Sequence, residues 1–178
     1  MHFKYCPECG ALLVDRDAGD DGKVPYCESC GKYWFDQFAS CVIVLIYNEF
    51  DEIVLSRQNY LSEKYAVFTS GFITPGETAE EAVKREVKEE LGLDLEEPEY
   101  AGTFWLARRD QLMHCFLGFC RKKPLVLSPE LDGAEWVPAM DVPKYVYPER
   151  AGTAIYPMYR RFLKKRGLAE PGKGSEPE

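Results

Sequence analysis

Apolar and polar positions fall along this chain in two rhythms. Cys41 to Tyr47 is an unbroken apolar run rich in β-branched residues, the pattern of a buried strand. The turn-forming stretch Asn48 to Asp51 follows, and Glu52 to Arg57 predicts a second strand. Tyr65 to Ile73 reads as a further extended segment. From Thr78 to Leu91 the period changes. Val83, Val87 and Leu91 recur every four residues, which predicts a helix with one core-facing side that stops at Gly92. Strands are expected over Tyr100 to Leu106, Leu112 to Arg121 and Ala134 to Val137. A last helix is expected over Ala151 to Lys165, in which Pro157 requires either a kink or a later start. Three strands, a helix, three strands and a helix imply a mixed α+β sandwich.

Composition divides the 178 residues into three regions. Residues 1–35 hold two Cys-x-x-Cys pairs around the loop Asp15 to Gly22, with too few large apolar residues for a core of their own. Residues 38–167 carry the regular periodicity and form the main domain. Residues 168–178, rich in Gly, Pro, Glu and Lys, read as a disordered tail. The net charge of −8 argues against a broad basic surface, so neither nucleic acid nor an anionic membrane is expected as a partner. A small anionic substrate stays open, because local cations override the global sign. No apolar run approaches the roughly 20 residues that span a bilayer. The first residues lack a signal-peptide core, so a cytoplasmic location is expected.

The helix over Thr78 to Leu91 carries more acid than it needs. Thr78 and Glu81 have the spacing of a capping box. At about 100° per residue, Glu89 falls near −60° and Glu90 near +40° from Glu86, so three carboxylates share one arc. Glu86 and Glu90 are a like-charge pair at i,i+4, which disfavours the helix by a few tenths of a kcal/mol. Small Ala79 and Ala82 flank the arc and are expected to leave room beside it. Clustered carboxylate oxygens suit hard divalent cations such as Mg²⁺ or Mn²⁺; the alternative is a solvated acidic face.

The surrounding residues extend this pattern. Gly71, Glu77, Arg85, Glu86, Val87, Glu89, Glu90, Gly92 and Leu93 resemble the Nudix box at every defined position over 23 residues. The resemblance implies a Nudix α/β/α sandwich and Mg²⁺- or Mn²⁺-dependent hydrolysis of a nucleoside diphosphate linked to another group. It further implies that Glu86, Glu89 and Glu90 are metal-binding and catalytic, with Glu89 favoured as the base. Glu77 and Arg85 would be an ion pair holding loop to helix, with Gly71 and Gly92 as structural positions. Glu130, six residues before Trp136, matches an additional metal-binding glutamate of several Nudix proteins, or is an exposed loop residue. The carbonyl of Ser70 is a further ligand candidate by the same resemblance.

Cys6-Pro7-Glu8-Cys9-Gly10 and Cys27-Glu28-Ser29-Cys30-Gly31 flank 17 residues between Cys9 and Cys27. Glycine after each pair permits a tight turn that aims amides at sulfur. Four thiolates in two such turns make a closed tetrahedral Zn²⁺ site with a structural role; redox pairs are the rival reading. Cys41, Cys115 and Cys120 read as small buried hydrophobes.

A zinc ribbon before a Nudix domain resembles the NADH pyrophosphatase family, as does Ser70-Gly71-Phe72-Ile73 at the entry to the box. Phe72 would then stack on a nicotinamide or another base, or else close the end of a strand. That family's Ser-Gln-Pro-Trp-Pro-Phe-Pro-x-Ser motif is absent, the corresponding region being Gly102 to Met113. Arg108 and Arg109 there meet a phosphate or carboxylate of the substrate, or face water on a strand turn. NAD(H), ADP-ribose and related dinucleotides are the expected small-molecule partners. A non-catalytic nucleotide sensor or scaffold on the same fold is the alternative, and a homodimer is a possible assembly.

Overall fold

Strand alternation across two separate cores organises the main part of the chain. The computed structural model describes residues 3–149 and 153–171. The expected helix start at Ala151 and residues 172–178 of the expected disordered tail lie outside the described residues. Contacts divide the chain into two compact units, Met1–Ala39 and Ser40–Glu178.

From the unit boundary onward, β4 (Ala39–Tyr47), β5 (Glu52–Arg57), β6 (Thr69–Phe72), β7 (Glu99–Leu106), β8 (Gln111–Phe119) and β9 (Gly133–Pro138) form one sheet. Its order is β7-β8-β4-β5-β9, with β6 paired to the first half of β4 through Cys41 to Val44. Successive side chains point to opposite faces of a strand. Val42, Val44 and Ile46 therefore enter one core, and Leu45 and Tyr47 the other. Burial on both faces is why β4 is continuously apolar rather than alternating.

Helix α1 (Ala79–Leu91) covers the first of these faces with Ala82, Val83, Val87 and Leu91, all without exposed surface. Helix α2 (Ile155–Arg166) covers the other with Met158, Tyr159, Phe162 and Leu163. The expected α/β/α sandwich is thus the observed one. Pro157 is the third residue of α2, in the first turn, where no intrahelical N–H bond is lost; of the two readings the later start holds. Tyr65 to Ile73 is strand only over Thr69–Phe72. Before it, Ala66 and Val67 make isolated bridges to Val146 and Ser56. Cys41, Cys115 and Cys120 are buried. No described helix is long and apolar enough to cross a membrane.

In the first unit, β1 (Val14–Asp17), β2 (Lys23–Cys27) and β3 (Lys32–Tyr33) form a small antiparallel sheet in that order.

Candidate active site

The approach to α1 is fixed by local chemistry. The Thr78 side chain accepts from the Glu81 amide, and Glu81 accepts from the Thr78 amide, completing the capping box. Gly92 closes the helix in the left-handed region at φ 68°, its N–H donating to the Lys88 carbonyl. Arg85 reaches back from the helix to the preceding loop. Its Nε and Nη2 donate to both oxygens of Glu77 at 2.7 and 2.9 Å, and Nη2 also donates to the Phe72 carbonyl at 3.0 Å. This fork, with the Thr74 amide added, holds the Glu77 carboxyl well down, at about 2.

The remaining nitrogen of Arg85, Nη1, donates to Glu86 at 2.8 Å and to Glu89 at 3.0 Å. Glu89 is largely exposed, whereas Glu86 lies against the backbone of Gly71. A Cβ at Gly71 would meet all three atoms of that carboxyl group. The room beside the carboxylates therefore comes from Gly71. Here the structure corrects the sequence reading: although the wheel sets them beside the acids, Ala79 and Ala82 do not border an open space but pack against the core under α1, Ala82 fully buried and Ala79 partly, because that core reaches round to their side of the helix.

Glu90 differs from its neighbours. It is 5% exposed, and its Oε2 has no hydrogen-bond partner. Burial, then the charges of Glu86, Glu130 and Glu89, push its carboxyl up to about 7. A buried, unpartnered carboxylate facing three others is the environment a hard cation relieves, and carboxylate oxygens are the donors such a cation takes. The four-carboxylate set therefore fits a divalent ion, although it is more open than the cysteine site described below. Thr69, which shares a strand face with Gly71, is likewise buried with an unpartnered hydroxyl.

Glu130 comes to this site on a loop fastened to the end of α1. The amides of Val126 and Ser128 donate to the carbonyls of Leu91 and Glu90 at 2.9 and 3.0 Å. Trp136 secures the same loop, its Nε1 donating to the Lys123 carbonyl at 3.1 Å. Glu130 is exposed, and its charge acts on Glu90. The offset from a strand tryptophan signalled this acid; nothing in the sequence signalled that helix carbonyls would anchor its loop.

Ser70 sits between this site and a cavity of about 550 Å³ on the opposite face of the sheet, whose walls include Ile43, Phe68, Trp105 and Tyr147. Arg108 and Arg109, in the turn joining β7 to β8, line it too. Among the described residues neither arginine has an ion-pair or hydrogen-bond partner. Cys41, pushed up by burial and by Glu86, is pulled back by Arg109, so both charges act on that one thiol. Phe72 is 58% exposed and does not line the cavity, which excludes a core role.

In the first unit the four sulfurs of Cys6, Cys9, Cys27 and Cys30 lie within 4.8 Å of one another, the one such set among the described residues. The two turns repeat each other. Gly10 and Gly31 have φ of 75° and 66°, and each donates its N–H to the carbonyl of the first cysteine at 2.8 Å. The Cys30 amide also donates to Cys27 Sγ at 3.3 Å. None of the four is in a disulfide, and the donor set fits one tetrahedral metal ion.

A family model described as the NUDIX domain matches residues 37–162. Over 169 residues the chain is 28% identical to a protein named NAD-capped RNA hydrolase NudC from Stutzerimonas stutzeri (strain A1501), covering 94% of this chain and 59% of that protein. The chain thus spans about three fifths of the length of the curated relatives it matches. A crystal structure of a NUDIX hydrolase from Nitrosomonas europaea superposes with a TM-score of 0.74 at 18% identity, covering 95% of each chain. The NUDIX domain of Shewanella oneidensis NrtR, solved as a cocrystal with ADP ribose, gives a TM-score of 0.59 at 16% identity, covering 78% of this chain and 94% of that one. Both structural likenesses concern the fold.

Proposed function

Because the chain belongs to the NUDIX domain family, we propose that it is a divalent-cation-dependent pyrophosphohydrolase acting on a nucleoside diphosphate linked to another group. NAD(H), ADP-ribose and related dinucleotides are its leading substrates. The observation that carries the reading is Glu90, a buried carboxylate with an unpartnered oxygen and three acids around it. Glu86, Glu89 and Glu90, with Glu130 and the Ser70 carbonyl, would hold Mg²⁺ or Mn²⁺. Such an ion offsets the charge of the diphosphate and makes a water more acidic.

The chain's own groups divide the remaining work. Glu89, exposed and tethered by one oxygen to Arg85, takes the proton of the attacking water and passes it to solvent. Arg85 holds loop, Glu86 and Glu89 in one frame through its three nitrogens. The cavity receives a nucleoside against Phe68, Trp105 and Tyr147, and Arg109 contacts substrate at its edge. Phe72, exposed beside the box, stacks on a base. Cys6, Cys9, Cys27 and Cys30 hold a structural Zn²⁺, since four thiolates leave no open position for a substrate.

The test is mononucleotide release from NADH, NAD, ADP-ribose and nucleotide sugars with Mg²⁺ or Mn²⁺. Glu90→Gln should abolish turnover while the circular dichroism spectrum stays unchanged; a variant active without metal refutes the assignment. The name of the curated relatives adds NAD-capped RNA to the panel. Preference for that substrate over free NAD would overturn the expectation, drawn from the net charge of −8, that no nucleic acid takes part.

A further inference from the structure

The unpaired arginines of the β7–β8 turn carry a prediction about substrate class. Arg57, Arg85, Arg160, Arg161 and Arg166 are each held by a carboxylate. Among the described residues Arg16, which lies over the Tyr26 ring, Arg108, Arg109 and Arg121 have no carboxylate partner despite the protein's surplus of acid, and of these only Arg108 and Arg109 line the cavity. They sit side by side at the edge of a cavity whose other walls are mainly aliphatic and aromatic. A guanidinium kept unpaired beside a ligand-sized cavity is placed for an anion that the ligand brings.

That anion is not the diphosphate already assigned. In the proposed reading, on which this inference rests for the place of the diphosphate, a divalent ion among the four glutamates meets its charge. The sheet order puts β8 two strands from β6, and β7 three strands from it. At about 4.8 Å per strand the arginine turn stands roughly 10–14 Å across the sheet from Ser70 and Gly71. A nucleoside lying in the cavity spans such a gap and presents its ribose hydroxyls or base to the turn. Two adjacent guanidiniums match a dianionic phosphomonoester better than a neutral hydroxyl, because each offers paired donors to phosphate oxygens.

We infer that Arg108 and Arg109 form a subsite for a third phosphate, and that the preferred substrate is a dinucleotide whose ribose carries a phosphomonoester.

Binding separates this from the hydrolytic reading. Adenosine 2′,5′-bisphosphate and 3′,5′-bisphosphate are titrated against 5′-AMP by calorimetry, the two isomers showing which ribose position is read. At least one bisphosphate should bind tenfold or more tightly than AMP, with the steeper loss of affinity as salt rises. Arg108→Gln with Arg109→Gln should cut bisphosphate affinity at least tenfold and AMP affinity less than threefold. Both residues are exposed, so the melting temperature should hold and show that the loss is local. Hydrolysis follows the same order, with NADPH above NADH for a 2′ phosphate. Equal binding of all three nucleotides, or equal weakening of all three in the double variant, overturns the subsite. Bisphosphate selectivity without hydrolysis of any dinucleotide would keep the subsite and remove the enzyme reading.

Discussion

A Cβ on Gly71 would stand 2.0 Å from the carboxyl carbon of Glu86, so the strand backbone and the helix side chain leave no room for any other residue. Gly71 is required for close approach and not for its backbone angles. Gly71→Ala should push Glu86 out of place and lower turnover at least tenfold, with a melting-temperature drop of only a few degrees. Steady-state kinetics and a thermal melt check both halves.

Glu90 makes the metal-free protein sensitive to mild alkali. Its folded value of about 7 lies above the ordinary 4.5, so its favourable contribution is complete below about pH 4.5 and lost as pH rises through 7. The full effect is of order 3 kcal/mol. In chelator, the melting temperature should fall between pH 5 and pH 8, and Glu90→Gln should flatten that fall. Added Mg²⁺ should restore stability at pH 8 in the wild type only. A wild-type slope unchanged by the substitution would refute the assignment.

Glu77 works in the opposite sense. Held at about 2 by Arg85, it stabilises the fold above the ordinary carboxylate value and loses that contribution as pH falls from 4.5 toward 2. Glu77→Gln should therefore melt below wild type at pH 7, with the difference shrinking on acidification. Arg85→Lys should also lower turnover at least tenfold, since one ammonium cannot reproduce a fork bonded to Glu77, Glu86 and Glu89.

Much of this was legible because the relevant signals are local. The period of Val83, Val87 and Leu91, the Thr78–Glu81 cap and the Gly92 stop place α1 to within a residue. The Glu77–Arg85 pair followed from the resemblance and is present in the structure. What stayed hidden depends on chain segments meeting. Wheel angles put Ala82 next to the acids, yet only the sheet beneath decides which side is core. The cavity joins Ile43, Phe68, Trp105 and Tyr147, residues with no common spacing. Tyr65 to Phe68 have strand-like composition but pair in single bridges rather than a ladder.

The cysteine unit should depend on its ion. It has three short strands and little apolar burial, so a strong zinc chelator or Cys30→Ser should remove about one equivalent of Zn²⁺. Amide exchange of residues 6–33 should then accelerate at least a hundredfold. Unchanged exchange after complete metal loss would show that the unit holds without it.

Gly92→Ala tests the other end of α1. The residue is left-handed, and a Cβ there would meet the Val126 Cβ at 2.8 Å, so a destabilisation of about 1–2 kcal/mol is expected from urea melts.

The bonds from Val126 and Ser128 to the last carbonyls of α1 have a consequence for tolerance to change. A helix necessarily ends with acceptors it cannot satisfy, and here they serve as the mooring for the segment that bears Glu130. Only Pro129 lies between that mooring and the acid, so the spacing works as a ruler of fixed length. One residue inserted after Ser128 would leave strand, helix and tryptophan anchor in place and still swing the fourth carboxylate out of reach.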